Sequence, residues 1–210
     1  MSRIIAGAAA GRPLTAVPGT GTRPTTDRTK EALFSWLEAR DWLDGTAVLD
    51  LYAGSGALGC EAASRGAASV LLVERDRKAV TACRANAALV NRARGADVVR
   101  VRAGSVEQAL AAEAAPVDLI LADPPYPVAG PPLEAVLEAA AGRLAPGGLF
   151  VLSGRPGTRR RAGRAASRRS RCASTARPPC TSGRTSADPT HPLSFGKRRR
   201  LGPLSFGKRR

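Results

Sequence analysis

Apolar residues along the chain fall into two regimes that meet at Leu152. Before that point, short apolar runs alternate with stretches in which apolar residues recur every three to four positions. The runs predict buried strands, and the three-to-four spacing predicts helices with one buried face. TAVLDLYA (46–53), SVLLVE (69–74), DVVRVRA (97–103), VDLILAD (117–123) and GGLFVL (147–152) are five such strands. Helices are predicted between them over 57–65, 76–90, 105–114 and 132–143. Upstream, Thr26-Asp27 offers an N-cap for a helix through about Arg40, with Ala32, Leu33, Trp36 and Leu37 on one face. RIIA (3–6) and RPLTAV (12–17) flank a Gly/Ala turn and predict a hairpin of two short strands. The Pro/Gly/Thr segment 18–26 reads as a loop. Strands alternating with helices at this spacing predict an α/β fold, a parallel sheet with helices on both faces.

After Leu152 the pattern stops, and charge shifts at the same place. Residues 1–152 hold 16 Lys and Arg against 16 Asp and Glu. Residues 153–210 hold 17 Lys and Arg against one acid, Asp188. The net charge of +16 therefore belongs to the last 58 residues, which contain no Val, Ile, Met, Trp or Tyr. Such a segment cannot bury enough surface to offset its ordering entropy. Its octapeptide PLSFGKRR, at 192–199 and again at 203–210, recurs too briefly for a solenoid.

Several function classes are disfavoured. The single histidine, His191, lies in the polar tail, so a Ser-His-Asp triad, a Cys-His pair or a His-based zinc site would depend on it. Cys60, Cys83, Cys172 and Cys180 form no CxxC pair and no disulfide framework. No metal site is expected. The N-terminus lacks the apolar run of a signal peptide, and no run reaches the length of a membrane span. A soluble, cytoplasmic monomer is expected.

Two constellations carry chemistry. Asp50 to Gly59 (DLYAGSGALG) follows a strand and opens a helix, so its glycines allow a tight turn and close approach of a ligand. Glu74 ends the next strand, where a carboxylate can accept two ribose hydroxyls. This arrangement serves any adenosine cofactor. Gly54, Gly56 and Gly59 also satisfy the dinucleotide fingerprint, so the turn alone does not separate NAD from S-adenosylmethionine. The second constellation is Asp123-Pro124-Pro125-Tyr126, after the fourth strand. A carboxylate and a carbonyl there can accept the two protons of an exocyclic base amine and localise its lone pair for attack on a methyl-sulfonium. Tyr126 offers a face for stacking an unstacked base. The two segments in this order favour an amino-methyltransferase over a proline-rich loop with an N-capping Asp. Ser105, after the third strand, can accept from an adenine amine or simply cap a helix.

With GTRPTTDRTKEALFSWL upstream and MSRIIAG…GRPL at the start, the sequence resembles the RsmD family of bacterial 16S ribosomal RNA guanine-N2 methyltransferases over residues 1 to about 152. The segment Arg23 to Arg28 (RPTTDR) is its most family-specific part. The resemblance implies a Rossmann-like methyltransferase fold with a small N-terminal β-hairpin extension, and S-adenosylmethionine as cofactor. It implies that Asp50, Gly54, Ser55 and Gly56 line the methionine and ribose part of that cofactor, and that Glu74 takes the ribose hydroxyls. Asp123, Pro124 and Tyr126 would hold the target guanine amine. Thr25, Asp27 and Arg28 would close over the cofactor or reach the RNA. The partner implied is 16S rRNA or the assembling small ribosomal subunit.

Residues 1–30 carry Arg3, Arg12, Arg23, Arg28 and Lys30 against Asp27, a plausible phosphate-contact surface or an ordinary solvated face. The expected organisation is an N-terminal hairpin and RNA-contact segment (1–26), a methyltransferase domain (27–152) and a basic low-complexity tail (153–210). The family's last strands have no counterpart in the tail, so the fifth strand is expected at a sheet edge. The tail's Arg/Ser/Pro/Ala bias is what out-of-frame reading of a GC-rich gene gives. A genuine RNA-binding tail is the competing reading. Alternatives for the whole chain are an adenine-N6 methyltransferase on DNA or RNA, a non-catalytic RNA-binding protein using the tail, and an NAD-dependent oxidoreductase. The last lacks a substrate domain and leaves Asp123-Pro124-Pro125-Tyr126 unexplained.

Overall fold

In a computed structural model of the chain, the described residues are 2–19, 27–112, 115–125 and 131–153. The predicted alternation appears as α1 (Asp27–Glu38), β1 (Ala47–Leu51), α2 (Ala57–Ser64), β2 (Ser69–Glu74), α3 (Arg77–Arg94), β3 (Val99–Ala103), α4 (Val106–Ala112), β4 (Val117–Ala122), α5 (Pro131–Ala141) and β5 (Leu144–Leu152). The strands form one sheet in the order β3-β2-β1-β4-β5, every neighbouring pair parallel. From β1 the chain builds outward through β2 to β3, then returns to place β4 on the other side of β1. Ligands in open α/β sheets bind at this reversal, outside the carboxyl ends of the strands. Among the described residues β5 is an edge strand. The tail beyond Ser153 lies outside them. No helix among the described residues is long and apolar enough to cross a membrane.

Each face of the sheet buries its own cluster. On one face Val48, Val70, Leu72, Leu119 and Leu121 pack with Phe34, Leu37, Cys60, Cys83 and Val90. On the other, Leu51, Val73 and Ile120 pack with Val106, Leu110, Val136 and Ala140. Burying a side chain such as Phe34 or Leu37 contributes roughly 1.5–3 kcal/mol each.

Three expectations are corrected here. The buried face of α1 is Lys30, Leu33, Phe34 and Leu37, whereas Ala32 is exposed and Trp36 half-buried. This is a strict i, i+3, i+4, i+7 stripe headed by a cation. Lys30 is 1% exposed, its Nζ lies 3.5 Å from Glu61 Oε2, and it donates to the Arg3 carbonyl. Its charge is neutralised inside the protein, so Lys30 is not an RNA contact. Second, the N-terminal segment does not form two strands. It is a hairpin with one antiparallel bridge, Arg3 to Pro13, flanked by Ile4 N to Arg12 O (3.0 Å) and Leu14 N to Ser2 O (2.9 Å), and beyond the bridge several N–H groups turn to α2. Ile5 N and Ala6 N donate to the Glu61 carboxylate (2.8 and 3.1 Å), and Ala9 N donates to Ser64 Oγ (2.9 Å). Third, α3 runs on to Arg94, where Gly95 in the left-handed region (φ 66°) closes it.

Candidate active site

The sharp turn after β1 starts at Tyr52, a non-glycine residue with φ 59°. Helix α2 then begins behind Gly56, which has no side chain to cap it. The missing oxygen comes from β1: Asp50 Oδ2 accepts the Gly59 N–H at 2.8 Å. A Cβ at position 59 would lie 2.3 Å from Leu72 Cδ2, so any larger residue would have to push that buried side chain aside. Asp50 is 1% exposed. Burial pushes its carboxyl up to about 7; the Gly59 N–H opposes the rise, and the charges of Asp123 and Glu74 add to it. Three carboxylates from β1, β2 and β4 thus feel one another at the turn.

Glu74 closes the turn from the β2 side. Its Oε2 accepts from Gly54 N (2.8 Å), and its Oε1 accepts from Arg75 N (2.7 Å) and Asp76 N (2.9 Å). Of roughly four acceptor positions on a carboxylate, three are engaged. The expected double hydroxyl contact at Glu74 therefore reduces to one free position on Oε2 in this conformation. A Cβ added at Gly54 would meet nothing within 4 Å, so this stretch of backbone faces open space.

Asp123-Pro124-Pro125 leaves β4 directly beside Tyr52, since Leu51 pairs with Ala122. Asp123 and Pro125 are exposed, and Pro124 is half-buried. Tyr126 lies outside the described residues, as do Arg23 and Thr25. Ser105 is occupied as a helix cap: its Oγ accepts from Gln108 N and Gln108 Oε1 accepts from Ser105 N, both at 3.2 Å. This reciprocal box satisfies the start of α4 and corrects the expectation that Ser105 reads a cofactor. Of the expected RNA contacts, Arg12 and Arg28 are exposed, and Arg3 lies 3.8 Å from Asp27.

Sequence reasoning missed two contributors. Asn86, fully buried on α3, donates to the carbonyls of Ser55 (2.8 Å) and Thr15 (3.0 Å) and accepts from Thr15 N (2.8 Å). It ties the N-terminal segment to the glycine turn across 71 and 31 positions of sequence, so no local signal marks it. Tyr52 carries a hydroxyl shielded from solvent with no partner among the described residues. Burial raises its pKa, the charge of Glu107 adds to that, and Arg75 opposes it. Burial likewise pushes the Cys60 thiol up to about 12 and raises that of Cys83, so neither is a nucleophile near neutral pH.

A glycine turn at the sheet reversal, an acid ending β2 and Asp-Pro-Pro leaving β4 define a Rossmann-like α/β fold with a candidate cofactor site at the carboxyl ends of its strands. Solved structures agree: a hypothetical protein of Thermus thermophilus is 36% identical, with a TM-score of 0.62 over 72% of this chain and 85% of that one. The family model described as Conserved hypothetical protein 95 matches residues 2–157, and the chain belongs to that family. Escherichia coli Ribosomal RNA small subunit methyltransferase D is 44% identical over 124 residues, 59% of this chain and 60% of that protein. The chain spans 60–66% of the curated relatives from Escherichia coli and Bacillus subtilis, less than two thirds of their length. A Thermus thermophilus 16S rRNA N2 methyltransferase, RsmC, solved in complex with AdoMet and guanosine, is 32% identical. Its TM-score is 0.51 over 66% of this chain and 38% of that one.

Proposed function

We propose that the chain transfers a methyl group from S-adenosylmethionine to the exocyclic N2 amine of a guanine in 16S ribosomal RNA. The carrying observation is the convergence of Asp50, Glu74 and Asp123 on the turn after β1. A dinucleotide would bring a pyrophosphate to this turn, against the Glu74 and Asp123 carboxylates, a buried Asp50 carboxyl and a Gly54 N–H already donated to Glu74. A sulfonium cofactor brings positive charge, which the same carboxylates favour. The shielded, unpartnered Tyr52 hydroxyl and the open backbone at Gly54 fit a polar ligand lying along the turn. The residues that would hold it are Asp50, Gly54, Ser55, Gly56 and Glu74, with Tyr52 beside them.

S-adenosylmethionine supplies a methyl group on a positively charged sulfur. Guanine N2 is a weak nucleophile, because its lone pair is delocalised into the ring. The Asp123 carboxylate and a carbonyl of the Pro124-Pro125 segment accept its two protons, localising the pair and fixing its direction. Two prolines suit this task, since they fix φ and offer no N–H to compete. Asp123 is exposed, so the proton released on methylation reaches solvent there. The Escherichia coli relative's name and the guanosine bound to the Thermus thermophilus RsmC structure support rRNA and guanine as substrate classes.

The test is methyl transfer by the full chain to naked 16S rRNA and to small subunits, followed by nucleoside analysis. N2-methylguanine is expected. N6-methyladenine would move the reading to an adenine methyltransferase, and absence of cofactor binding by calorimetry would leave a non-catalytic RNA-binding protein. Asp123→Ala should lower turnover by roughly 10²–10³ while leaving cofactor affinity near wild type. A variant with near-wild-type turnover removes Asp123 from the mechanism.

A further inference from the structure

We infer that the exposed face of α3, with the adjoining edge strand β3, is the surface that binds the RNA phosphate backbone. This rests on the RNA-methyltransferase reading and gives it a docking face. Half of the 16 cations in residues 1–152 fall between Arg75 and Arg102, eight of them against Asp76 and Asp97. Helix α3 carries Arg77, Lys78, Arg84, Arg92 and Arg94 and no acid in 18 residues. Arg77, Lys78, Arg84 and Arg92 are exposed, as is Arg100 on β3. Arg77, Arg84 and Arg92 are spaced by about two helical turns each, so they form one stripe with steps of roughly 10–12 Å.

An ordinary solvated helix face would intersperse acids at i±3 and i±4 to relieve repulsion. Here that relief is absent. The ion pairs among the described residues join Arg3 to Asp27, Lys30 to Glu61, and Arg65 to Glu38 and Glu61, and use no cation of α3. Of the flanking acids, Asp76 caps the helix by accepting from Ala79 N, and Asp97 faces Asn91 Nδ2 at 3.5 Å. Uncompensated like charge on a rigid element is what a polyanion neutralises.

Geometry favours RNA over other acidic partners. Four of the five exposed cations on this face, Arg77, Arg84, Arg92 and Arg100 beside Lys78, are Arg, whose planar fork matches phosphate oxygens. Thr81, Ala85 and Ala88, exposed beside the stripe, offer no bulky apolar anchor for a lipid surface. Arg84 and Arg92 also border an open groove of about 740 Å³ between α3 and β3, floored by Val99 and Val101. The stripe begins at Arg77, three residues past Glu74, and so starts at the edge of the sheet that carries the active site. The N-terminal segment, by contrast, loses Lys30 to Glu61 and shares Arg3 with Asp27.

The experiment compares the full chain with Arg84→Gln/Arg92→Gln and with Arg40→Glu, which removes the same two units of charge from the exposed end of α1. Affinity for a 16S rRNA transcript is measured by fluorescence anisotropy across a salt series, alongside KM, kcat and melting temperature. The α3 variant should bind roughly tenfold more weakly at about 150 mM salt, and its log K against log salt slope should fall by about 1.5–2. Its kcat and melting temperature should be unchanged. Arg40→Glu should stay within about twofold of wild type. Unchanged affinity and slope in the α3 variant, or an equal loss in Arg40→Glu, overturns the assignment. If the wild type binds RNA in this pattern without methylating it, the docking face stands and the catalytic reading fails. If it methylates RNA while the α3 variant binds normally, the reverse holds.

Discussion

Asp50 offers the sharpest test of the site, because one buried carboxyl links stability, pH and cofactor. Between its ordinary value of 3.8 and its folded value of about 7, the folded chain keeps a proton on Asp50 that the unfolded chain has released. Stability therefore falls as pH rises through this window, by up to about 1.4 kcal/mol per pH unit and about 4 kcal/mol in all. Asp50→Asn keeps the size and an oxygen for the Gly59 N–H but cannot ionise. Its amide adds a pH-independent penalty of about 1–3 kcal/mol for an unsatisfied N–H, so the slope is the diagnostic rather than the offset. Unfolding free energies of the cofactor-free protein, measured by urea titration from about pH 4.5 to 8.5, should drift apart steadily in favour of the variant up to about pH 7. Above that the gap should be constant. Profiles that run parallel throughout would refute the proposition that Asp50 is protonated in the folded protein near neutrality. The same logic predicts that S-adenosylmethionine, which brings a positive charge, binds more tightly to the wild type as pH rises to about 7. S-adenosylhomocysteine, which lacks that charge, should show less of this dependence.

Glu74→Ala should weaken S-adenosylmethionine binding by about 1.5–3 kcal/mol, read by calorimetry. Unchanged affinity would mean that the ribose is held elsewhere. Lys30→Met should destabilise the fold by about 3–5 kcal/mol, since it strips one cation from a fully buried Glu61. The folded fraction should bind RNA as the wild type does, whereas a surface phosphate contact would give the opposite pattern, with stability kept and affinity lost.

What was legible in the sequence was local. The glycine turn, Glu74 and Asp123-Pro124-Pro125 each sit within ten residues of the strand end that positions them, and the β/α alternation reads as a parallel sheet, whereas the order β3-β2-β1-β4-β5 is set by long-range pairing. The start of β5 was placed at 147 rather than Leu144, because Leu144 pairs with Val117 across a register shift that leaves no trace in hydropathy. The end of α3 could have been read from Gly95, which stops a helix whose last turn holds Arg92 and Arg94. Misreading the buried face of α1 has a more instructive cause. The stripe 30-33-34-37 has perfect helical spacing, but a lysine heads it, and a lysine reads as surface until its partner is known. That partner, Glu61, lies 31 residues downstream on another helix, where it too reads as an exposed acid. Buried charges are compensated in space, so the sequence shows scattered polar residues where the fold has one cluster, Lys30 and Arg65 sharing Glu61, with Glu38 completing it from the surface.

The same cluster explains why an N-terminal segment with a single ladder bridge is nonetheless fixed in place. Glu61 takes two of its N–H groups, Ser64 and Asn86 take two more, and Lys30 takes the Arg3 carbonyl. All of these partners are buried side chains on helices α1, α2 and α3, so the segment is held by the core as well as by its own Ile4–Arg12, Gly11–Ile4 and Leu14–Ser2 backbone bonds. Detaching it would leave Glu61 and Asn86 with unsatisfied polar atoms, at about 1–3 kcal/mol for each group. Residues 2–17 thus act as part of the wall behind the glycine turn. Asn86 joins that wall to the Ser55 carbonyl, so a shift of the segment is transmitted to the glycine turn proposed to hold the cofactor. The N-terminal segment and the sheet-bearing domain are thus mechanically joined at the candidate site.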